Sequence, residues 1–402
     1  MRPVRLLCAL TFAACSGGAN STLPIASDAP AARPLHAGYR LVYRFPGTPS
    51  GSAPAGLADY NGTLYGTTTG GGAKTFGTVF VRSGDSTQTL YSFQGGADGA
   101  QPEGSLVAID GVLYGTTEYG GSAGDGTVFS ITPSGNEHVV YSFKGGTDGA
   151  TPVLAGLGAS GGKLYGTTNA GGDDGCRSQN SVGCGTLFVV TTSGVERVLH
   201  RFTGKPDGAG PAGTLIASGG AFYGTTSYGG HYDNGCVFKF SGSSEQIVYS
   251  FKGYPDGATP YAGLTVAGGD FFGTTALGGA FGDAGTIFEL TPSGTERVLY
   301  SFKGAPDGAL PYAGLTLVGG TMYGTTMYGG STEPACVGRG IVGCGIVFDI
   351  DKSGRYGSLY RFKGHADGED PWSPLVFENK LLYGTTLGGG TRDNGTLFQI
   401  QP

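Results

Sequence analysis

Three large aromatic residues follow a proline at one position in three successive copies of a repeated sequence: Tyr261, Tyr312 and Trp372. The earlier copies carry other residues at this position: Ala55, Glu103, Val153 and Ala212. Aromatic rings stack on sugar rings and also anchor protein interfaces. The position therefore predicts a binding surface for a glycan or a surface protein. Packing of the rings beneath their own loops is the alternative.

Hydrolytic chemistry on a sugar would need carboxylates or a histidine that converge on one place. Four acidic residues interrupt the repeat and are candidates: Glu103, Glu118, Asp173 and Asp174. Nothing in their spacing brings them together. The histidines occupy unrelated repeat positions, and His200 simply replaces a repeated tyrosine. The sequence predicts no catalytic residue, metal or cofactor, and a carbohydrate-active enzyme such as a lyase or glycosidase is the alternative function.

Two pairs of cysteines lie eight residues apart in two insertions, Cys176 with Cys184 and Cys336 with Cys344. In an exported protein, such pairs are expected to form disulfides. Zinc binding is the alternative, but neither pair has a histidine or a second thiol pair nearby. Cys236 has no partner at a comparable spacing and is expected to lie inert in a strand.

Four short patterns recur seven times along the chain and define its elements. The tetrapeptide YGTT has a Phe variant at Phe272, and its copies begin at Tyr65, Tyr114, Tyr165, Tyr223, Phe272, Tyr323 and Tyr383. A leucine precedes each copy by eight residues, G-x-[VLI]-F follows it, and [YH]-[SR]-F completes the unit. Each unit of about 50 residues reads as four short strands, which is typical of a β-propeller blade. The repeated aromatic residues are therefore expected in the core, with the YGTT glycines making room for them.

The two ends of the repeated region complement each other. The first element is a lone fourth strand at 41–45, and the last is a third strand that ends near Ile400. Pairing of these two strands would complete a seventh blade and leave no unpaired edge. The sequence therefore predicts an all-β, seven-bladed propeller that the N-terminal strand closes.

Loops between blades share one face of a propeller with the loops between second and third strands. Tyr119, Tyr228 and Tyr328 lie in the latter loops and extend the predicted aromatic face. The interblade loops also repeat an Asp-Gly pair: Asp98, Asp148, Asp207, Asp256, Asp307 and Asp367. An Asx-type turn explains these pairs. A ring of carboxylates around calcium is the alternative, although calcium needs several oxygens from one place.

Composition and charge exclude several classes of protein. With 81 Gly and 21 Pro in 402 residues, about a quarter of the chain consists of turn-forming residues, which argues against a helical protein. The 24 basic residues are scattered and the net charge is -6, so nucleic-acid binding is not expected.

The N-terminus has the pattern of an export signal. Arg2 and Arg5 precede a short apolar run, and two alanines precede Cys15, as in a bacterial lipobox. We expect residues 1–15 to be the signal, Cys15 to carry lipid and residues 16–38 to form a flexible tether before the propeller at 39–402. Plain secretion is the alternative, because Phe12 departs from the lipobox pattern. Membrane contact is expected only through the lipid.

The ordered patterns YGTT, Gly-Gly, G-T-x-F and YSF-x-G-x-x-D-G resemble the GloVer tandem repeat of exported bacterial proteins, over residues 40–400. The blade length also resembles kelch repeats, but the late tryptophan of a kelch blade is missing. The resemblance implies an extracellular, repeat-built protein and no particular reaction. We therefore expect an exported binding or scaffold protein at the cell surface, in the outer membrane or periplasm, or secreted.

Overall fold

The computed structural model describes residues 38–152, 156–173, 175–178, 181–336 and 342–402. The predicted signal, Cys15 and nearly all of the predicted tether therefore lie outside the described residues, as do Val153 and Asp174. None of the helices in the described ranges combines the length and the apolar character that a membrane span requires.

The described chain forms seven antiparallel blades, each built on four strands from an inner to an outer edge. Blade 1 contains Gly51–Tyr60, Thr63–Gly71, Thr78–Ser83 and Ser86–Ser92. Blade 2 contains Val107–Ile109, Val112–Thr117, Thr127–Ile131 and Glu137–Ser142. Blade 3 contains Gly158–Ser160, Lys163–Thr168, Thr186–Thr191 and Glu196–Arg201, and its insertion forms a hairpin of Arg177–Ser178 with Ser181–Val182.

Blades 4 to 7 repeat this order, with an inner edge that is split into two short strands. Blade 4 contains Gly208–Pro211, Ile216–Ser218, Ala221–Gly229, Cys236–Ser241 and Ser244–Ser250. Blade 5 contains Gly257–Ala258, Thr265–Ala267, Asp270–Thr275, Leu277–Gly278, Thr286–Leu290 and Glu296–Ser301. Blade 6 contains Gly308–Ala309, Thr316–Val318, Thr321–Thr326, Tyr328–Gly329, Ile346–Ile350 and Tyr356–Arg361. Blade 7 contains Glu369–Pro371, Val376–Glu378, Leu381–Gly388, Thr396–Ile400 and Arg40–Arg44. The helices of the described residues are single 3-10 turns at Gly146–Asp148, Pro334–Cys336 and His365–Asp367.

The predicted closure of the ring is confirmed. Arg40–Arg44 pairs antiparallel with Thr396–Ile400, so the first strand completes the last blade. The all-β seven-bladed fold is confirmed with it.

Each blade packs on the next through two phenylalanine rings. The last residue of [YH]-[SR]-F meets the phenylalanine of the next blade's third strand edge-on, with ring centroids 5.0 to 5.4 Å apart at all seven interfaces. A YGTT glycine makes room for the second ring: a Cβ added at Gly115 would lie 2.8 Å from Phe129 and 2.7 Å from Leu106. The same crowding recurs at the other six YGTT glycines, so the predicted reason for these glycines is confirmed.

Both predicted disulfides are present, Cys176–Cys184 and Cys336–Cys344. Cys236 is a buried free thiol, as expected. A Cβ added at Gly204 would lie 3.0 Å from the Cys176 sulfur, and one at Gly364 would lie 2.9 Å from the Cys344 sulfur. Each disulfide therefore packs against the loop that leads into the next blade.

Removing the closing strand should destabilise the whole ring. We expect a chain that begins at residue 46 to lose more than about 3–5 kcal/mol of unfolding free energy, the usual cost of losing one buried phenylalanine such as Phe45, and to aggregate through the exposed edge. Urea unfolding should be compared with a chain that begins at residue 38. Equal stability of the two chains would contradict closure by this strand.

Candidate functional site

The inner loops of six blades converge on one cavity. Its lining residues come from blades 1, 2, 4, 5, 6 and 7, which places the cavity on the axis of the ring. The corresponding loop of blade 3 falls at residues 153–155, outside the described ranges. The cavity volume is about 50 Å³, which is enough for a few water molecules and too small to enclose a sugar ring.

The YGTT threonines hold these inner loops in place. Thr225 of blade 4 donates a hydrogen bond of 2.8 Å to the carbonyl oxygen of Ala262, and Thr274 of blade 5 donates one of 3.0 Å to that of Ala313. Ala262 and Ala313 directly follow the aromatic residues of their loops. The core strand of one blade therefore fixes the aromatic loop of the next.

Tyr261, Tyr312 and Trp372 form a continuous row in the cavity wall. The rings of Tyr261 and Tyr312 are tilted with centroids 5.1 Å apart, and those of Tyr312 and Trp372 are stacked with centroids 4.5 Å apart. All three side chains are half-buried. The row thus combines packing of the rings on one another with access to the mouth of the cavity.

The three other predicted tyrosines have different surroundings. The hydroxyl of Tyr228 lies 3.2 Å from that of Tyr261 and extends the row. Tyr328 packs against the hydrophobic cluster of blades 5 and 6. Tyr119 is exposed at 37% and belongs to blade 2. The structure therefore joins Tyr228 to the aromatic row and places Tyr119 with the acidic residues of blade 2.

Those acidic residues are Glu103 and Glu118. Glu103 is the one carboxylate among the described residues that line the cavity. Burial raises the pKa of the Glu118 carboxyl above its usual range. The pKa of Tyr119 is also raised, first by burial and then by its hydrogen bond to Glu118 and the negative charges of Glu118 and Glu103. The structure thus groups two of the four candidate catalytic carboxylates.

The remaining candidates do not join this group. A side-chain oxygen of Asp173 accepts a hydrogen bond of 2.9 Å from the backbone N–H of Gly175, within the blade 3 insertion. Asp174 lies outside the described residues. The geometry therefore offers Glu103 alone to a ligand in the cavity.

A second cavity of about 320 Å³ lies beside the disulfide loop of blade 6. It is lined by Pro306, Gly330, Ser331, Thr332, Tyr360, Arg361 and Lys363. None of the predicted binding residues lines it, so it is separate from the aromatic row.

The six repeated aspartates act inside their loops rather than in one shared calcium site. Each accepts a hydrogen bond from the backbone N–H four residues earlier, over 2.7 to 3.1 Å. Each also lies within hydrogen-bond distance of an outer-strand side chain seven residues earlier, a histidine in blade 3 and a tyrosine in the others. Both hydrogen bonds of each aspartate therefore run to residues earlier in the chain, which is not the pattern of the expected Asx-type turn. Together they attach the interblade loop to the outer strand that precedes it.

Four glutamates join these pairs from the next blade, and the sequence analysis did not anticipate them. They lie at the start of the outer strands of blades 2 to 5, as the second residue in blade 4 and the first in the others: Glu137, Glu196, Glu245 and Glu296. Burial, together with the charge of the neighbouring aspartate, raises the pKa of each carboxyl to about 7. In the sequence, each of these glutamates follows the turn between the third and fourth strands of its repeat. Only the packing of the blades shows that the glutamate side chain meets the previous blade.

Comparison with known proteins shows the family and the fold. The family described as the Gloeobacter/Verrucomicrobia repeat matches residues 31–178 and 175–337. Two solved structures are similar. A candidate 6-phosphogluconolactonase from Bacteroides uniformis is 16% identical at a TM-score of 0.51, with 80% of this chain and 88% of that chain covered. Another from Bacteroides fragilis is 15% identical at a TM-score of 0.50, with coverages of 81% and 88%. These identities support the shared propeller fold alone. The search of curated proteins returned no match.

The interblade glutamates predict that stability falls as pH rises. Their folded-state pKa of about 7 exceeds the ordinary value of 4.5, so the folded protein retains protons that the unfolded chain releases. This contribution is fully present below pH 4.5 and is lost as the pH rises through 7. Urea unfolding between pH 5 and pH 8 should show a falling free energy of unfolding.

Replacing Glu137, Glu196 and Glu296 together with glutamine should flatten this dependence. Glu333→Gln, at an exposed position, is the control and should leave the slope unchanged. A stability that rises from pH 5 to pH 8, or an unchanged slope in the triple variant, would contradict the interpretation.

Proposed function

The chain belongs to the Gloeobacter/Verrucomicrobia repeat family, and from that premise we propose that it is an exported glycan-binding propeller. A lipid on Cys15 would hold it at the cell surface. The two disulfides support an extracellular or exported location, because such bonds persist in oxidising compartments.

The row of Tyr261, Tyr312 and Trp372 beside the axial cavity carries this proposal. Aromatic faces bind the apolar faces of sugar rings. A cavity of about 50 Å³ cannot hold a whole ring, so the sugar would lie across the mouth against the row. Glu103 would accept hydrogen bonds from sugar hydroxyl groups, since a carboxylate is a strong acceptor.

A glycan fits these observations better than a protein partner does. Stable protein interfaces bury about 800 Å² on each partner, whereas the row is half-buried at a narrow concave mouth. A carbohydrate-active enzyme would need a second carboxylate or a histidine facing the ligand. Among the described lining residues, Glu103 is the one acidic group. Binding without turnover is therefore the function that we propose.

Replacing Tyr261, Tyr312 and Trp372 with alanine tests this proposal. If the row contacts a ligand, binding to a glycan array should fall at least about tenfold, while the unfolding free energy falls by only about 1 kcal/mol for each half-buried substitution. Trp372 is the sole tryptophan, so its fluorescence should also respond to the bound sugar. Arg361→Gln, in the second cavity, is the control and should bind as the unmodified protein does.

Three outcomes would count against the proposal. An array and a fluorescence titration without any response, together with a strongly destabilised triple variant, would assign the row to packing. Binding of protein extracts but of no glycan would favour a protein partner. Release of reducing sugar ends by the unmodified protein would favour the carbohydrate-active enzyme.

A further inference from the structure

The interface between blades 3 and 4 differs from the others in its outer edge. His200 stands where the outer strands of the six other blades have tyrosine, and its Nε2 lies 3.1 Å from an Asp207 carboxylate oxygen. Glu245 approaches from blade 4, and one ligand atom of each residue lies within 4.8 Å of the others. We propose that His200, Asp207 and Glu245 bind a divalent transition-metal ion, with Zn²⁺ as the preferred ion, which joins the two blades.

The donor set has the chemistry of such a site. One imidazole nitrogen and two carboxylate oxygens are ligands that zinc accepts, at about 2.0–2.2 Å and in tetrahedral geometry. Ligand atoms in that geometry lie about 3.4 Å apart, close to the His200–Asp207 distance of 3.1 Å. The Glu245 side chain would close a separation of at most 4.8 Å to about 3.4 Å to complete three corners, and water would occupy the fourth.

Two observations point to an unmet need for a cation. Asp207 Oδ1 and Glu245 Oε1 are buried without a hydrogen-bond partner in the described residues. Two carboxylates at one interface also repel each other, and a divalent ion would offset both charges. The His200 and Asp207 side chains remain 24% and 15% exposed, so an ion could reach them from solvent.

The tyrosine-containing interfaces explain why the histidine matters. Glu137, Glu196 and Glu296 also have a buried carboxylate oxygen without a partner. Their neighbouring tyrosines have pKa values raised by burial and by hydrogen bonds to aspartate. Those phenols stay protonated and donate a hydrogen bond, whereas the neutral imidazole of a histidine offers a lone pair.

His200 also fills the structural place of the tyrosine. Its ring meets Phe202 edge-on at 4.8 Å, as Tyr141 meets Phe143 at 5.3 Å. A protonated His200 could hold Asp207 by a hydrogen bond without any metal. The experiment must therefore distinguish metal binding from this packing role.

His200→Tyr is the matched variant, because it restores the residue of the neighbouring blades and should fold. The full chain, freed of metal by a chelator, should be titrated with ZnCl₂ by calorimetry and by thermal melting. We expect one equivalent of Zn²⁺ to bind the unmodified chain and to raise its melting temperature, since a ligand that binds only the folded state stabilises it. The His200→Tyr variant should bind at least about tenfold more weakly and lose the shift.

A gain-of-site variant provides the second test. Tyr141→His builds the same set with Asp148 and Glu196 at the interface of blades 2 and 3. We expect this variant to bind two equivalents of Zn²⁺. Titration with Co²⁺ should produce the visible absorption of a tetrahedral site in the unmodified chain and none in His200→Tyr. No bound equivalent in the unmodified chain, or an equal response in His200→Tyr, would overturn the proposal.

Discussion

Every interface in this propeller depends on one steric arrangement, a phenylalanine ring that sits over a glycine and receives the edge of a second phenylalanine. At the interface of blades 1 and 2, Gly115 leaves the space, Phe129 fills it and Phe93 meets that ring at 5.1 Å. Both rings are completely buried, and such pairs contribute about 0.5–1.5 kcal/mol beyond the burial of their area. Any side chain at the glycine would displace the ring. Seven copies of this arrangement set the distance between blades and therefore the position of every loop.

Because the core arrangement tolerates so little change, the differences between blades that bear on the two candidate sites lie in two belts. One belt is the inner loop, where Glu103 faces the axis on one side and the aromatic row on the other. The second is the outer strand, where a residue of one blade meets an aspartate of the previous one. Threonines of the core strands connect the first belt to the core arrangement that all seven blades share, as Thr225 does through its hydrogen bond to Ala262. An inner-loop residue can thus differ between blades while the strand that holds its loop does not.

The sequence was sufficient to predict the blades, their closure and both disulfides. The constant offset of eight residues between leucine and YGTT reflects two paired strands and a tight turn, which are local features. The outer edge was less predictable. Whether Glu245 meets His200 depends on how two blades twist past each other, and no spacing within one repeat contains that information. The volume of the axial cavity was likewise beyond prediction, because it depends on how far all inner loops approach the axis.

The differences in the two belts are correlated around the ring. At the outer edge, the glutamates of blades 2 to 5 give way to Tyr356 in blade 6 and to Tyr39 just before the strand that completes blade 7. Tyr356 stacks on Tyr300 at 4.0 Å, and Tyr39 stacks on Tyr360 at 3.7 Å. Blades 6 and 7 also supply Tyr312 and Trp372 to the axial row.

The outer edges of blades 5, 6 and 7 are thus joined by aromatic stacking, whose strength does not change with protonation of a carboxyl near neutral pH. The outer edges of blades 1 to 5 are joined through the four glutamate carboxyl groups, which titrate near pH 7. A change in pH would therefore act on the interfaces of blades 1 to 5, including the blade that carries Tyr261, and leave the stacking of Tyr312 on Trp372 in place.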